Sequence, residues 1–228
     1  MIGFEGFADG DGKFFKALSK HNDREWFQSH KAEFEAGWNA PMRSLLTDVR
    51  AAIDGAYPHA DLGEPKVFRI FRDVRFSKDK SPYKTHIGGY IPMRRAAKTA
   101  TDLPMALYFH VGQKEVFGAA GHYMMEPESL ARFRAAVADA VRGAELERIL
   151  TKLEKKGFTS DSHERLKRIP KGFDPDHPRA EVLKRKGLVV SFPALPRALL
   201  PTPKLTKWLA RECKTAAPLV EWLLFATA

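Results

Sequence analysis

Apolar residues recur every three or four positions through the first quarter of the chain, which is the spacing of amphipathic helices. One such helix carries Phe14, Phe15 and Leu18 on its apolar side. Asp23 is predicted to begin the next helix as its N-cap, because its carboxylate can accept hydrogen bonds from free backbone N–H groups of the first turn. Pro41 marks the start of a further helix, since proline is tolerated in a first turn but not inside a helix.

The period changes from about 3.6 to 2 at Lys66, which predicts β-strands. Four strands follow from this alternation, at residues 66–76, 85–94, 105–111 and 115–123. Each predicted strand has one apolar face and one face that carries Arg, His, Tyr or Asp. This pattern is typical of antiparallel strands joined by short loops, with one face packed against a core.

Helical spacing returns after Pro127. A polar segment follows at residues 161–179, then a strand at residues 187–192 and two short helices in residues 203–228. This order predicts an α+β fold, with an antiparallel sheet meander packed against N-terminal and C-terminal helices. No repeat or long linker divides the sequence, so we interpret residues 1–228 as a single domain.

The composition is that of a globular protein with a substantial core, because 44% of the 228 residues are hydrophobic and 11% are aromatic. Collagen-like, low-complexity and largely disordered classes are thereby excluded. The single cysteine, Cys213, cannot form an internal disulfide, which fits a reducing compartment. The first residues carry no signal-peptide pattern, and no apolar run approaches the roughly 18 residues of a membrane span. We therefore expect a cytoplasmic protein without a membrane partner.

Basic residues outnumber acidic residues by 38 to 28, which gives a formal net charge of +10. The excess is concentrated in two windows. Residues 66–86 contain seven basic and two acidic residues, and residues 163–186 contain eight basic and four acidic residues. Such clustering favours an anionic partner, such as a phosphorylated ligand or nucleic acid. Two solvated basic surfaces would explain the same charges, and this alternative stays open.

The first basic window contains the candidate binding residues. Alternation places Arg69, Asp73 and Arg75 on one strand face, whereas Arg72 falls on the apolar side and needs a carboxylate partner unless the strand ends before it. If the flanking strands pair as a hairpin, polar groups of the second strand join the same face. Arginine suits phosphate because its planar fork matches two oxygens and stays charged. The candidate ligand-binding residues are Arg69, Arg72, Arg75, Lys78, Lys80, Tyr83, Lys84 and Tyr90.

Three residues are candidates for catalysis. His86 and His110 suit proton transfer because an unperturbed imidazole has a pKa of about 6.5, and Asp73 could orient an arginine or hold a metal ion. A metal site formed by His110, His122 and Asp73 is a weaker interpretation, because no compact ligand motif is present. We therefore assign no metal, and the sequence leaves any cofactor unknown.

Residues 69–86 read RIFRDVRFSKDKSPYKTH. This segment closely resembles the signature of a bacterial family catalogued as domain of unknown function 2461. Segments at residues 22–27, 118–123, 170–173 and 218–223 resemble the same family, so the likeness extends along the chain. The resemblance implies one domain of about this size, and it supplies no established activity and no catalytic residue.

Three hypotheses about function remain open. The favoured one is a binding module that recognises an anionic, phosphate-bearing ligand, with nucleic acid among the candidates, through the basic hairpin. The second is an enzyme that acts on a phosphate ester or a similar anion, with the arginines stabilising negative charge. The third is a structural or protein-interaction role, in which the signature residues form a salt-bridge network. The sequence does not indicate the oligomeric state.

Overall fold

The structure is a computed structural model that describes residues 3–59, 61–75, 78–94 and 104–228. Positions 76 and 77, in the first predicted strand and the turn after it, lie outside the described residues. The described helices are α1 (Lys13–Lys20), α2 (Arg24–Ser29), α3 (Lys31–Phe34), α4 (Ala40–Ile53), α5 (Pro127–Ala138), α6 (Ala140–Glu154), α7 (Ala180–Leu183) and α8 (Lys204–Ala226). The described strands are β1 (Asp61–Leu62), β2 (Lys66–Val67), β3 (His86–Arg94), β4 (Met105–Gly112), β5 (Val116–His122), β6 (Thr159–Asp161) and β7 (Leu188–Ser191).

The N-terminal helices form where the apolar spacing predicts them. Phe14, Phe15 and Leu18 are buried on one side of α1. Asp23 caps α2, because its carboxylate accepts a hydrogen bond of 2.8 Å from the backbone N–H three residues later. Pro41 lies in the first turn of α4, as expected, and a π-helical segment joins α3 to α4.

The strands form an antiparallel sheet in the order β1–β3–β4–β5–β7–β6, and β2 also pairs with β3. Strands β3, β4 and β5 follow one another as a meander, in which Tyr90 lies opposite Tyr108 and His110 lies opposite Phe117. Strand β7 pairs with the other edge of β5. The predicted α+β fold, with an antiparallel meander between N-terminal and C-terminal helices, is therefore confirmed.

The predicted strand at residues 66–76 is much shorter in the structure. Among its described residues, Lys66 and Val67 pair with β3 and form β2, and the backbone N–H of Phe68 adds a hydrogen bond to the carbonyl oxygen of Gly88. Further along the described chain, an isolated β-bridge joins Phe71 and Tyr83. Pro82 has no N–H to donate to a strand ladder, which works against a longer pairing. The apolar positions of this segment do not form one buried face, because Ile70 is buried whereas Phe68 is exposed.

The prediction of two short C-terminal helices is wrong, because α8 is one helix of 23 residues. Pro218 lies inside it, where proline removes a backbone hydrogen bond and normally breaks or kinks a helix. The helix continues because its side chains are buried on both sides of the proline, with Leu209, Cys213 and Leu219 inaccessible to solvent. Within the described part of the chain, no helix is both long and apolar enough to cross a lipid bilayer.

Helices cover one face of the sheet. Helix α4 packs on β3, and α8 packs on β4 and β5. The strand residues that face these helices, among them Ile87, Leu107 and Phe109, are buried. Helices α5 and α6 pack in turn against α8. The opposite face of the strands carries the polar and aromatic alternation that the sequence predicts.

Gly89 marks a close approach between α4 and the sheet. A Cβ atom at this position would lie 2.5 Å from Cδ1 of Leu46 and 2.9 Å from the carbonyl oxygen of Lys66. We expect Gly89→Ala to lower the free energy of unfolding by about 1–3 kcal/mol, because the core must shift to accept the methyl group. Urea denaturation measures this loss. Gly37→Ala is the matched control, since a Cβ at Gly37 meets nothing within 4 Å, and an equal loss in both variants would contradict the close packing.

Candidate functional site

Alternation along β3, β4 and β5 directs a second set of side chains to the face opposite the helices. Gly88 and Tyr90 on β3 lie opposite His110 and Tyr108 on β4, respectively. Phe117 on β5 lies opposite His110 and extends the row. Because directly paired residues point to the same side of a sheet, these phenol, imidazole and phenyl rings share one open face.

A cavity of about 430 Å³ lies over this open face. One wall comes from Phe68, Arg69 and Lys84, which lie between β2 and β3. We call the described residues of that segment, 68–75 and 78–85, the basic loop. The other walls come from β3, β4, β5, β7 and the residue that follows β5. The aromatic residues that line the cavity are Phe68, Tyr108, Phe117 and Tyr123, and the polar ones include Arg69, Lys84, His86 and Ser191.

The basic loop is anchored to the helices through Tyr83. Its ring is buried and stacks on Phe27 of α2, with ring centroids 4.2 Å apart. The side-chain amide of Asn22 accepts a hydrogen bond from the backbone N–H of Tyr83 and donates one to its carbonyl oxygen, both at 3.0 Å. These contacts fix the position of Lys84, the next residue, at the cavity.

Two cations, Arg69 and Lys84, lie at the cavity. The ammonium group of Lys84 donates to the carbonyl oxygen of Arg69 at 3.1 Å and lies 5.7 Å from the centre of the Phe68 ring. Burial lowers the pKa of Lys84, and the positive charges of Arg69 and Arg72 lower it further. No Asp or Glu is present among the described residues that line the cavity. An anionic ligand would relieve this repulsion between like charges.

His86 lines the cavity, and its ring packs against the ring of buried His110 beneath it, with centroids 4.2 Å apart. Gly112 leaves room for them, because a Cβ atom there would lie 3.0 Å from Cβ of His86 and 3.2 Å from Nε2 of His110. Burial lowers the pKa of each histidine to about 4. For His86, the nearby His110 and Lys84 lower the pKa further. Both imidazoles are therefore neutral at pH 7.

A chain of three polar groups leads from solvent to the cavity. The exposed carboxylate of Glu115 lies 3.5 Å from Nε2 of His110, and the phenol oxygen of Tyr108 lies 3.2 Å from Nδ1 of the same ring. A Cβ atom at Gly88 would come within 3.2 Å of that oxygen, so glycine makes space for it. Burial, followed by the charges of Glu115 and Tyr123, raises the pKa of Tyr108. The phenol is thus a neutral hydrogen-bond donor.

The structure brings three predicted site residues, Arg69, Lys84 and His86, to the lining of the cavity. Two others adjoin it. Tyr90 stacks on the cavity residue Phe68, with ring centroids 5.0 Å apart, and His110 lies against His86. Of the residues expected to share one face of a hairpin, Arg69, His86 and Tyr90 therefore lie at or beside the cavity, whereas Asp73 and Arg75 are not part of its described lining.

Four charged residues of the basic loop pair with one another. The Arg72 guanidinium lies 2.9 Å from a carboxylate oxygen of Asp79, which supplies the carboxylate partner that the sequence requires for Arg72. The Asp73 carboxylate accepts hydrogen bonds of 3.0 and 2.7 Å from the guanidinium of Arg75. None of the four belongs to the cavity lining as described. These pairs favour a structural role for Arg72 and Asp73.

The remaining predicted residues also lie outside the described cavity lining. Lys80 donates to the carbonyl oxygen of Val74 at 2.9 Å, and Lys78 is exposed. Tyr83 is buried against Phe27 and serves as an anchor for the loop. The basic hairpin of the sequence prediction thus separates into a few residues at the cavity and a larger group that shapes the loop.

Much of the cavity wall is absent from the sequence-based prediction. Phe68 falls on the apolar side of the predicted strand, although 43% of its surface is exposed. Alternation along β5 could have identified Phe117, because it shares a face with Ala119. Identifying Ser191 as a wall residue required knowledge of the pairing of β7 with β5, which brings Ser191 opposite Ala119. No local sequence signal reports that pairing.

The described residues contain no group of three or more side chains that could hold a metal ion. Of the residues considered for a metal site, Asp73 pairs with Arg75 in the basic loop. His122 is fully buried, whereas His110 lies beneath the open face. The geometry therefore offers no support for a metal at these three positions.

The family model described as conserved hypothetical protein, DUF2461, matches residues 12–222. The match covers far more than half of the 228 residues, so the chain belongs to this family, and the resemblance seen in the sequence is confirmed. No curated protein sequence matches the chain. The family description names no activity, so the function is argued from the cavity itself.

Asn22 is expected to be important for the stability of the basic loop. We expect Asn22→Ala to lower the free energy of unfolding by about 1–3 kcal/mol, because it leaves the N–H and C=O groups of buried Tyr83 without these partners. Urea denaturation measures the change. Asn39→Ala is the control, because it removes an exposed hydrogen bond to Glu35 and should change stability by less than about 0.5 kcal/mol. Equal effects would contradict the anchoring role.

Stability is expected to depend on pH through the two imidazoles. In the folded protein the pKa of His86 and His110 is lowered to about 4, whereas an unfolded imidazole has a pKa of about 6.5. Between these values the unfolded chain binds more protons. The contribution of the two neutral imidazoles to the free energy of unfolding is therefore fully present above about pH 6.5. It is lost progressively as the pH is lowered toward 4.

For His110, which is nearly inaccessible to solvent, the loss at pH 4 is on the order of 2–3 kcal/mol. Unfolding curves measured at steps from pH 4 to pH 8 test this, with the His110→Gln variant expected to show a flatter dependence than the wild type. His30→Gln, at a position outside the described cavity lining, is the control and should follow the wild-type curve. If stability depended on pH in the same way in the wild type and in His110→Gln, the lowered pKa of His110 in the folded protein would be refuted.

Proposed function

We propose that this protein binds a small anionic molecule that carries a planar apolar group. Arg69 and Lys84 hold the anionic group, and the aromatic walls of the cavity contact the planar group. The observation that carries the proposal is the presence of two cations and several aromatic rings around one cavity, without an acidic residue in its described lining. A guanidinium and an ammonium group both donate strong hydrogen bonds to phosphate or carboxylate oxygens.

The size of the cavity supports a small ligand. A volume of about 430 Å³ falls within the range of about 300–1,000 Å³ that is typical of small-molecule sites. Phe68 and Tyr123, each nearly half exposed at the cavity, offer ring faces to a planar group. A strand of nucleic acid would instead need an extended basic groove with successive stacking positions. The exposed Lys78 and Lys80 keep that alternative open to experiment.

The arrangement of the imidazoles favours binding over catalysis by a histidine pair. Acid–base cleavage of a phosphate ester places one protonated and one neutral group on opposite sides of the reacting phosphorus. His86 and His110 are in ring contact with each other, so the two imidazoles are not placed on opposite sides of a phosphorus atom in the cavity. This geometry suits hydrogen bonding to a bound anion better than it suits cleavage of a phosphate ester.

Binding of two simple aromatic anions, phenyl phosphate and benzenesulfonate, tests the proposal by isothermal titration calorimetry. We expect at least one of them to bind, and we expect Arg69→Gln and Lys84→Gln each to weaken binding about tenfold or more. The reason is that each loses a charge-assisted hydrogen bond worth roughly 1.5–3 kcal/mol.

Lys78→Gln is the matched control, because it removes the same charge from an exposed position outside the described lining. It should bind these probes like the wild type. An equal loss in Lys78→Gln, or binding of a single-stranded oligonucleotide without binding of either small anion, would overturn the proposal in favour of a diffuse basic surface.

A further inference from the structure

The floor of the cavity combines two features that a simple anion site does not need. One is the contact between the rings of His86 and His110, above the glycine that leaves space for them. The other is the row of polar groups from exposed Glu115, 3.5 Å from Nε2 of His110, through His110 to the phenol of Tyr108, which is hydrogen-bonded to Nδ1. Together they give a buried imidazole a route to solvent on one side and a contact with the cavity on the other.

The charged and titratable groups around the pair come from three parts of the structure. Arg72 and Lys84 belong to the basic loop, and their positive charges oppose protonation of His86; Arg69 of the same loop also lies at the cavity. Glu115, in the turn between β4 and β5, favours protonation of His86. Tyr108 is a neutral phenol, because burial raises its pKa, and Tyr123 also lines the cavity. In the empty cavity, burial and the cations therefore keep both imidazoles uncharged.

We propose that the cavity selects phosphate monoesters with two negative charges over anions with one, because the second charge is balanced by a proton that binds to the His86–His110 pair together with the ligand. This inference rests on the proposed function and names its ligand class. The proton comes from solvent, and no covalent bond forms or breaks in the ligand.

The hydrogen bonds around His110 remain satisfied in both states. Without ligand, the Tyr108 hydroxyl and Nδ1 of His110 share a hydrogen bond of 3.2 Å, which we assign as donated by the hydroxyl, and Nε2 of His110 lies 3.5 Å from the Glu115 carboxylate. When the ligand binds, the Tyr108 hydroxyl turns to donate to a phosphate oxygen. Nδ1 takes up the proton and donates to the Tyr108 oxygen, and the positive charge of the ring is attracted to the Glu115 carboxylate. Each step keeps one donor for each acceptor.

The size of the electrostatic effect on the imidazole pKa distinguishes a ligand with one negative charge from a ligand with two. With an effective dielectric constant of about 20, a unit negative charge about 5 Å from an imidazole raises its pKa by about two pH units. Starting from a pKa of about 4, one charge leaves the imidazole neutral at pH 7, whereas two charges protonate it. Because two imidazolium rings in contact repel each other, the pair takes up one proton and not two.

The wild-type protein tests the proposal directly, without any variant. Phenyl phosphate is titrated calorimetrically at pH 7.5, where it carries close to two charges because the second pKa of a phosphate monoester is about 6. The titration is repeated in two buffers with different ionisation enthalpies. We expect uptake of close to one proton per phenyl phosphate bound, and almost none for benzenesulfonate. Nitrogen NMR shifts should report protonation of Nδ1 of His110 only with phenyl phosphate.

A double variant, His86→Gln/His110→Gln, should lose the proton uptake, and its affinity for phenyl phosphate relative to that for benzenesulfonate should fall about tenfold. The matched control, His30→Gln/His59→Gln, replaces two histidines outside the described lining and should behave like the wild type. Phenyl phosphate binding without proton uptake would overturn this inference and leave the proposed function intact. So would binding of benzenesulfonate alone, whereas failure of both anions would overturn both proposals.

Discussion

Helices α4 and α8 cover only one face of the sheet, and the cavity depends on this one-sided burial. Successive residues of a strand point to opposite faces, so burial of Ile87 and Phe109 against the helices directs His86 and Tyr108 outward. A slip of one residue in the pairing would exchange the two faces. The constraint that builds the core therefore also places phenol and imidazole groups side by side on the open face.

The basic loop divides its charges between two roles. Arg72 pairs with Asp79, and Arg75 pairs with Asp73. These ion pairs neutralise part of the positive charge of the loop. Exposed pairs of this kind contribute little to stability, typically less than about 1 kcal/mol. The position of the loop is instead set by buried Tyr83 and its hydrogen bonds to Asn22. That anchor, more than the number of basic residues, determines which cations reach the cavity.

The α+β class, the meander and the polar strand face could all be predicted from periodicity, because period 2 and period 3.6 arise from local backbone geometry. The length of α8 could not, since burial around Pro218 overrides a local break signal. Within the site, alternation places His110 and Tyr90 correctly relative to their partners. Alternation fails as a guide in the basic loop, because residues that are not paired in a strand ladder need not share a face. It also cannot show that β7 brings Ser191 to β5. Those contacts depend on long-range pairing, which leaves no local pattern.

Electrostatics at the cavity gives the empty protein a specific imbalance. Burial lowers the pKa of Lys84, and the nearby positive charge of Arg69 lowers it further. Burial also keeps the imidazoles of His86 and His110 neutral. Neither effect helps the chain to fold, because like charges and desolvated polar groups both oppose the folded state. The core and the Tyr83 anchor tolerate this arrangement because their own burial contributes more. Since an anion in the cavity would remove the repulsion only in the folded state, binding of the proposed ligand would also stabilise the fold.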